Sequence, residues 1–303
     1  MKTFKSTIEE LTAKRGFNCE DYLKRKIEAI NSFFKQEKLD SAVIGLSGGI
    51  DSAVVYKLLI EASKVKNSPI KAIVGIFLPI SDEGISGQSE AEIKVNSLIE
   101  STNKESKAFY RLIDLSNSVI AMKAQFTEKF TPWSSGQMAC ICRTPALYGY
   151  AAILQTEGYK SLVVGTTNRD EGSYIGFFGK ASDAMVDLQP IADIHKSEVW
   201  DLAKLLNVPG EIVNATPKGD VWDGAVDEEM IGAPYWFLKM YLLMKEYYTF
   251  KEQLNYMYEL NSEEKLLFLK YGSAIEAIHK LNAHKYKVGS PARYIDVMPR
   301  IIK

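Results

Sequence analysis

Between two apolar stretches, Ala42-Val43-Ile44-Gly45-Leu46 and Ala53-Val54-Val55-Tyr56-Lys57-Leu58-Leu59-Ile60, the chain carries Ser47-Gly48-Gly49-Ile50-Asp51-Ser52. A short apolar run, a glycine pair and a longer run of helical length predict a buried strand, a tight turn and the first turn of a helix. This combination restricts the fold more than any other stretch, because it places a strand end, a loop and a helix N-terminus at one point. Gly48 and Gly49 can take positive φ and let backbone approach a ligand closely, while the unpaired N–H groups of the new helix face outward. The predicted occupant is a set of phosphate oxygens. Ser47 and Ser52 add hydroxyl donors, and Asp51 suits a magnesium ion bridging to those phosphates.

The loop lacks the Gly-Lys-Ser/Thr ending of a Walker A sequence. Its spacing resembles instead the PP-motif of the N-type ATP pyrophosphatases. That resemblance implies a grip on the β and γ phosphates of ATP while a substrate oxygen attacks the α phosphate. The plainer reading is a helix start after a tight turn, with Asp51 and Ser52 serving only the helix.

A length of 303 residues allows one large α/β domain with elaborations, and 46% hydrophobic content with a net charge of -1 describes an ordinary globular protein. The charge balance argues against a nucleic-acid partner. Cys19, Cys140 and Cys142 are the only cysteines, too few for a disulfide framework, so a reducing cytoplasm is expected. Cys140 and Cys142 lack the second Cys/His pair that a metal site needs. The stretch Met1 to Gly16 has no apolar core of a signal peptide, and no run is long enough to span a membrane.

Apolar positions between Asn18 and Lys35 follow helical spacing, and Ile70 to Leu78, Ala108 to Leu115 and Ser161 to Thr166 read as further strands. Helices are predicted over 88–101, after Ser116 as its cap, and over 133–157. Strands alternating with helices indicate a parallel wound sheet with helices on both faces. A polar loop, Ser81 to Gly87, follows the second strand, at the sheet end where ligands bind. From Lys196 the pattern becomes chiefly helical, with one helix to Asn207 stopped by Pro209-Gly210 and two or three more between Asp227 and Asn282. Their Tyr and Met stripe reads as core or as a dimer surface. The expected organisation is one domain over 1–303, an α/β nucleotide-binding core at 1–215 followed by a mainly helical part at 216–303.

The loop after the fourth strand carries Gly165-Thr166, then Glu171, then Gly176-Phe177-Phe178-Gly179-Lys180, Asp183, and Asp187-Leu188-Gln189-Pro190. With His195-Lys196-Ser197-Glu198-Val199, Asn207-Val208-Pro209, Pro217-Lys218-Gly219-Asp220-Val221-Trp222, Asp227-Glu228, His284-Lys285 and Pro291, it resembles the NAD synthetase family along nearly the whole chain. The resemblance implies an adenine nucleotide alpha-hydrolase-like fold. It also implies a two-step amidation, in which the carboxylate of nicotinic acid adenine dinucleotide attacks the α phosphate of ATP and ammonia then displaces AMP.

By residue matching, the resemblance makes Asp51 and Glu171 magnesium ligands and puts Lys196 on the transferring phosphate; these three are the expected catalytic residues. Thr166 places the adenylate, and Ser47, Gly48, Gly49 and Ser52 hold pyrophosphate. Phe177 and Phe178 form a wall for the pyridine ring, while Arg143, Lys180, Asp183 and Asp187 contact the dinucleotide. The family pattern Gly-Asn-x-x-Ala-Arg-x-Arg reads here Gly136-Gln137-Met138-Ala139-Cys140-Ile141-Cys142-Arg143. Ile141 cannot pair with a phosphate. That contact is then missing or supplied from elsewhere, with Arg169 as a candidate substitute, and a relative that amidates another carboxylate is the alternative.

Ser47 lies close to the start of the sequence, and no Cys, His and carboxylate cluster suggests a glutaminase. Free ammonia, or ammonia from a separate protein, is therefore the expected nitrogen donor, and a homodimer is expected by family analogy. The rival readings are a GMP synthetase-like amidase, a tRNA-modifying ligase, and a nucleotide-binding relative without turnover.

Overall fold

Ser41–Gly45 forms β1, the strand that ends at the glycine loop, and its pairing on both sides defines the sheet. The computed structural model describes residues 2–82, 88–218, 226–285, 293–294 and 297–298. Residues 83–87 of the polar loop, 219–222 and Pro291 lie outside the described residues. Ala42 pairs with Ile73 of β2 (Ala72–Phe77) and with Leu162 of β4 (Ser161–Val164). With β3 (Ala108–Leu112), β5 (Leu188–Gln189) and β6 (Arg293–Tyr294), they form a six-stranded sheet in the order β3-β2-β1-β4-β5-β6, every pair parallel.

Strand period separates the two faces. Ala42, Ile44, Ile73, Leu162 and Val164 enter the core under α2 (Cys19–Gln36), α3 (Ile50–Lys64), α4 (Gln88–Glu100) and α7 (Lys196–Leu205). Val43, Val74, Ile76 and Val163 point the other way, against α5 (Ser116–Lys123) and α6 (Pro132–Thr156). Helices thus cover both faces, as the apolar strands require. Strand order reverses between β1 and β4, so the loops leaving these two strands part and open a crevice at their carboxyl ends.

A third core joins α1 (Phe4–Arg15) to α9 (Asp227–Ile231), α10 (Tyr235–Tyr247), α11 (Phe250–Glu259) and α12 (Ser262–Asn282). Phe4 meets the Phe237 ring edge-on at 5.6 Å, and its backbone N–H donates to Glu264 Oε1. The helical layer therefore takes in the first helix of the chain, which the sequence had left unassigned. Its start is set locally, by a reciprocal cap between Thr3 and Ser6.

Three sequence expectations change. Four helices rather than two or three lie between Asp227 and Asn282. Gly210 opens the short α8 (Gly210–Val213) after α7 has ended. Ser116 is the first residue of α5 and not its cap; the Asp114 carboxylate accepts its N–H, and Ser116 Oγ accepts the N–H of Ser81. Within α6, Pro145 interrupts the hydrogen-bond ladder without ending the helix.

Candidate active site

The glycine loop folds on itself before it meets any ligand. Gly48 takes φ +77°, and a Cβ there would lie 2.8 Å from the Ala91 carbonyl oxygen, so only glycine fits. Gly49 sits at φ -86° as the N-cap of α3 and needs no special conformation. Ser47 Oγ accepts the Gly49 N–H and lies 3.2 Å from Ser52 Oγ, which donates to the Gly49 carbonyl. Asp51 stands in the first turn of α3, not at its cap.

Asp51 faces residues far along the chain. Lys196, the first residue of α7, places Nζ 2.5 Å from Asp51 Oδ2 and 3.1 Å from Glu171 Oε1. Glu171 opens a single π turn, Glu171–Ile175, after β4. The two carboxylate side chains keep only 16% and 15% exposure and the lysine 4%, which excludes the surface ion pair that isolated sequence matches allow.

Asn168, fully buried, ties the group together through its amide. Its Nδ2 donates to Asp51 Oδ1 and its Oδ1 accepts the Glu171 N–H, each at 3.1 Å. Tyr235 at the start of α10 directs its hydroxyl to Glu171 Oε1 at 3.0 Å and to Asp227 Oδ2 at 3.1 Å. Neither Asn168 nor Tyr235 stood out in the sequence. Tyr235 belonged to the Tyr/Met stripe, most of which is core, and only the packing of α10 turns its hydroxyl towards the site.

Crowded carboxylates shape the titration. Burial first, then the neighbouring charges of Asp51 and Asp227, push the Glu171 carboxyl up to about 7 against the pull of Lys196. Asp227 is raised for the same leading reason. Burial works to discharge Lys196, but Asp51 and Glu171 outweigh it and hold the ammonium above its ordinary range. The Tyr235 hydroxyl is a neutral donor and cancels no charge, so Asp51, Glu171 and Asp227 crowd a single ammonium.

A cavity opens between the ends of β1, β2 and β4 and the flank of α6, bordered by Ser47 of the glycine loop but not by the cluster residues themselves. Ser47, Arg143, Thr144, Thr166, Ser182 and Asp183 supply its polar lining, with Leu46, Phe77, Leu78, Leu147 and Val186 among the apolar groups. Arg143 Nε reaches the Leu78 carbonyl at 3.4 Å. Ile141 is 41% exposed and is not part of the lining, which α6 supplies through Cys140, Arg143, Thr144 and Leu147.

The remaining sequence-selected residues fall at different distances from this centre. Asp187 accepts from Tyr148 Oη and from the Val163 N–H, tying α6 to β4. Phe177 packs against the helical core, whereas Phe178 lies under Lys285 Nζ, 5.2 Å from its ring centre. Lys180 is exposed. Arg169, the candidate substitute for a missing arginine, is buried in an ion pair with Glu246 at 2.6 Å.

The defining sequence pattern of the NAD synthase family matches residues 22–289. This chain belongs to that family. Its relatives include the NH(3)-dependent NAD(+) synthetase of Methanosarcina acetivorans, 31% identical over 87% of this chain and 94% of that protein. The enzyme of the same name from Fusobacterium nucleatum is 30% identical over 80% of this chain and 86% of its own length. Among solved structures, the NMN synthetase of Francisella tularensis superposes with a TM-score of 0.70 at 24% identity, covering 90% of this chain and 98% of that one. The NH3-dependent NAD synthetase of Campylobacter jejuni superposes with a TM-score of 0.64 at 22% identity, over 95% and 100%. These neighbours share the parallel sheet with its surrounding helices, so the NAD synthase fold expected from the motifs is the fold observed.

Among the described residues no cluster of three or more His, Cys, Asp or Glu side chains is arranged to hold a metal. Two carboxylates do converge on one cationic point, Asp51 and Glu171 about Lys196 Nζ. That is the protein share expected of a magnesium site completed by substrate phosphates. No described helix is long and apolar enough to cross a membrane.

Proposed function

We propose that this protein amidates nicotinic acid adenine dinucleotide to NAD, using ATP and ammonia. The observation that carries the reading is the buried Asp51, Lys196 and Glu171 cluster, assembled beside the serine-glycine loop in a chain of the NAD synthase family.

A carboxylate resists attack by ammonia until one of its oxygens becomes a good leaving group. In the first step that oxygen attacks the α phosphorus, a P–O bond forms, and the bond to pyrophosphate breaks. Ammonia then attacks the acyl carbon, the C–O bond to AMP breaks, the nitrogen releases one proton to solvent, and the amide remains. Negative charge builds on the transferring phosphate and on pyrophosphate, so fixed cations and N–H donors lower the barrier.

Backbone and hydroxyl groups of Ser47, Gly48, Gly49 and Ser52 cradle pyrophosphate, and the Lys196 ammonium meets the charge on the α phosphate. Thr166 places the adenylate. Arg143 and Asp183, both on the cavity wall, orient the substrate with Phe178 and Lys180, and Phe177 and Asp187 support that wall from behind. Asp51 and Glu171 would hold Mg2+, which would neutralise phosphate charge.

The chain works as one unit over residues 1–303, in the cytoplasm, on free ammonia or ammonia from a separate protein. We also read it as a homodimer. Ile120, Phe126, Trp133 and Ile153 are each exposed on α5, α6 or the segment between them, apolar surface that a second copy could cover. Light scattering at micromolar concentration distinguishes dimer from monomer.

The deciding assay supplies ATP, magnesium, the dinucleotide acid and either ammonium or glutamine, and follows NAD, AMP and pyrophosphate by mass spectrometry. NAD with ammonium alone supports the proposal. A parallel reaction with the mononucleotide acid is included because a structural neighbour is an NMN synthetase. Turnover of the mononucleotide in preference to the dinucleotide overturns the substrate assignment and leaves the chemistry intact.

A further inference from the structure

Directly behind the reacting cluster lies a pair of titratable side chains that the chemistry above does not use. Asp170 immediately precedes Glu171, and His195 immediately precedes Lys196. Both side chains are fully buried, with His195 Nδ1 2.6 Å from Asp170 Oδ1. The second oxygen, Oδ2, accepts the backbone N–H of Lys196 at 2.7 Å. One carboxylate therefore holds the ring of residue 195 and the main chain of residue 196 at once. The Arg169 N–H to Ile194 carbonyl bond, 2.8 Å, continues the same seam one residue back on each side.

Asp170 Oδ2 accepts the Lys196 N–H, and its Oδ1 lies within hydrogen-bond distance of His195 Nδ1, a contact that is made when the ring carries its proton there. Burial lowers the His195 pKa, with Asp170 opposing. His195 Nε2 is then a bare acceptor, and it has no hydrogen-bond partner among the described residues. An apolar residue at 195 would avoid that cost. What the histidine provides is the Nδ1–H bond to Asp170.

We propose that Asp170 and His195 are positioning residues, a clamp that fixes the distance between Glu171 and Lys196. The need for one follows from the charges in front of it. When Lys196 turns from Asp51 and Glu171 towards a substrate phosphate, Asp51 in α3 and Glu171 at the start of the π turn lose their shared cation, and the return of Lys196 to Glu171 depends on the spacing of the segments that carry them. A displacement of about 1 Å at a reacting group costs on the order of a hundredfold in rate. The clamp joins the segment carrying Glu171 to the one carrying Lys196, one residue behind the contact it protects, and it touches no substrate. The inference rests on the reading of Asp51, Glu171 and Lys196 as the reacting centre.

The test compares the full-length wild type with His195→Leu, His195→Asn and Lys196→Gln, measuring kcat, the KM of each substrate and the thermal midpoint. His195→Leu is expected to lower kcat per folded molecule roughly 30- to 100-fold, with the KM for ammonium little changed. His195→Asn, whose amide N–H can donate to Asp170, is expected to recover most of that loss without a matching recovery in thermal midpoint. A folded His195→Leu protein with near wild-type kcat overturns the clamp.

Should the leucine variant fail to fold, histidine-selective 15N NMR of the wild type decides. A proton held on His195 Nδ1, before and after a non-reacting ATP analogue is added, supports the clamp, and a proton on Nε2 overturns it. Lys196→Gln separates the two readings. Full turnover by that variant removes the reacting centre itself, whereas its loss alongside an active His195→Leu protein removes only the clamp.

Discussion

Two sets of buried charges lie close together in this fold and are built on opposite rules. At the carboxyl ends of β1 and β4, Asp51, Glu171 and Asp227 crowd one ammonium, and both Lys196 partners retain some exposure. Beneath them, Asp193 accepts from Lys26 Nζ through both oxygens at 3.0 Å, from Tyr22 Oη at 2.8 Å and from the Val297 N–H at 2.8 Å. Arg15 likewise holds Glu198 through two nitrogens, at 2.6 and 2.9 Å. The lower set is closed and matched, and each hydrogen bond offsets part of the desolvation that burial demands. The upper set instead gathers three carboxylates around one ammonium, an arrangement that leaves room in its charge balance for an added cation. Holding calls for satisfied charges, and chemistry calls for unsatisfied ones.

The contrast is easiest to break at Lys26. Lys26→Met leaves Asp193 buried without its cation, and the expected loss is about 3–5 kcal/mol of stability in urea unfolding. Turnover of the protein that remains folded should stay near wild type. If turnover instead falls as far as the stability does, the two sets form one network.

Lys196→Ala should show the reverse pattern. Its kcat is expected to drop by roughly 100- to 1000-fold, as for loss of one preorganised electrostatic group, with the fold retained by circular dichroism. A stability loss that accounts for the whole activity loss would place Lys196 with the lower set.

Gly48→Ala probes the loop that borders the reactive set. With φ at +77° and the Ala91 carbonyl 2.8 Å from the added Cβ, the strain should cost about 1–3 kcal/mol. ATP affinity by calorimetry should weaken as the loop shifts. Unchanged ATP affinity would remove the loop from phosphate binding.

The smallest expected effect is in pH. The Glu171 carboxyl sits at about 7 in the fold against an ordinary 4.5. Between those values the unfolded chain releases this proton while the folded chain keeps it, so the Glu171 contribution to stability falls as pH rises through the window. In metal-free protein, Glu171→Gln should therefore gain thermal midpoint relative to wild type at pH 7.5 more than at pH 4.5. Parallel midpoints at both pH values would show that Glu171 is matched like the lower set.

Local signals carried much of the fold. Apolar runs of strand length, glycine at a turn that demands positive φ, and helical spacing after Asn18 are each contained in a few consecutive residues, and each formed where expected. The family follows from the same kind of evidence, ordered motifs along one chain. Short β5 and β6, two residues each, carry no period that a sequence can show, and they exist only because the sheet edge offers partners.

The site was legible in its residue types and hidden in its connections. Asp51 and Lys196 are separated by 145 positions, and nothing in either neighbourhood states that they meet. Asn168, Tyr235 and the Asp170–His195 clamp were hidden for the same reason: amide, hydroxyl and imidazole side chains are chemically versatile, and a role appears only when packing fixes what each faces. Sequence alone determined the parallel α/β scaffold, the strand-turn-helix geometry of the glycine loop and the family, because those rest on backbone geometry and short-range pattern. Tertiary structure alone decided which charges are matched and which are left in excess, because electrostatic balance depends on distance in space and on exclusion of water.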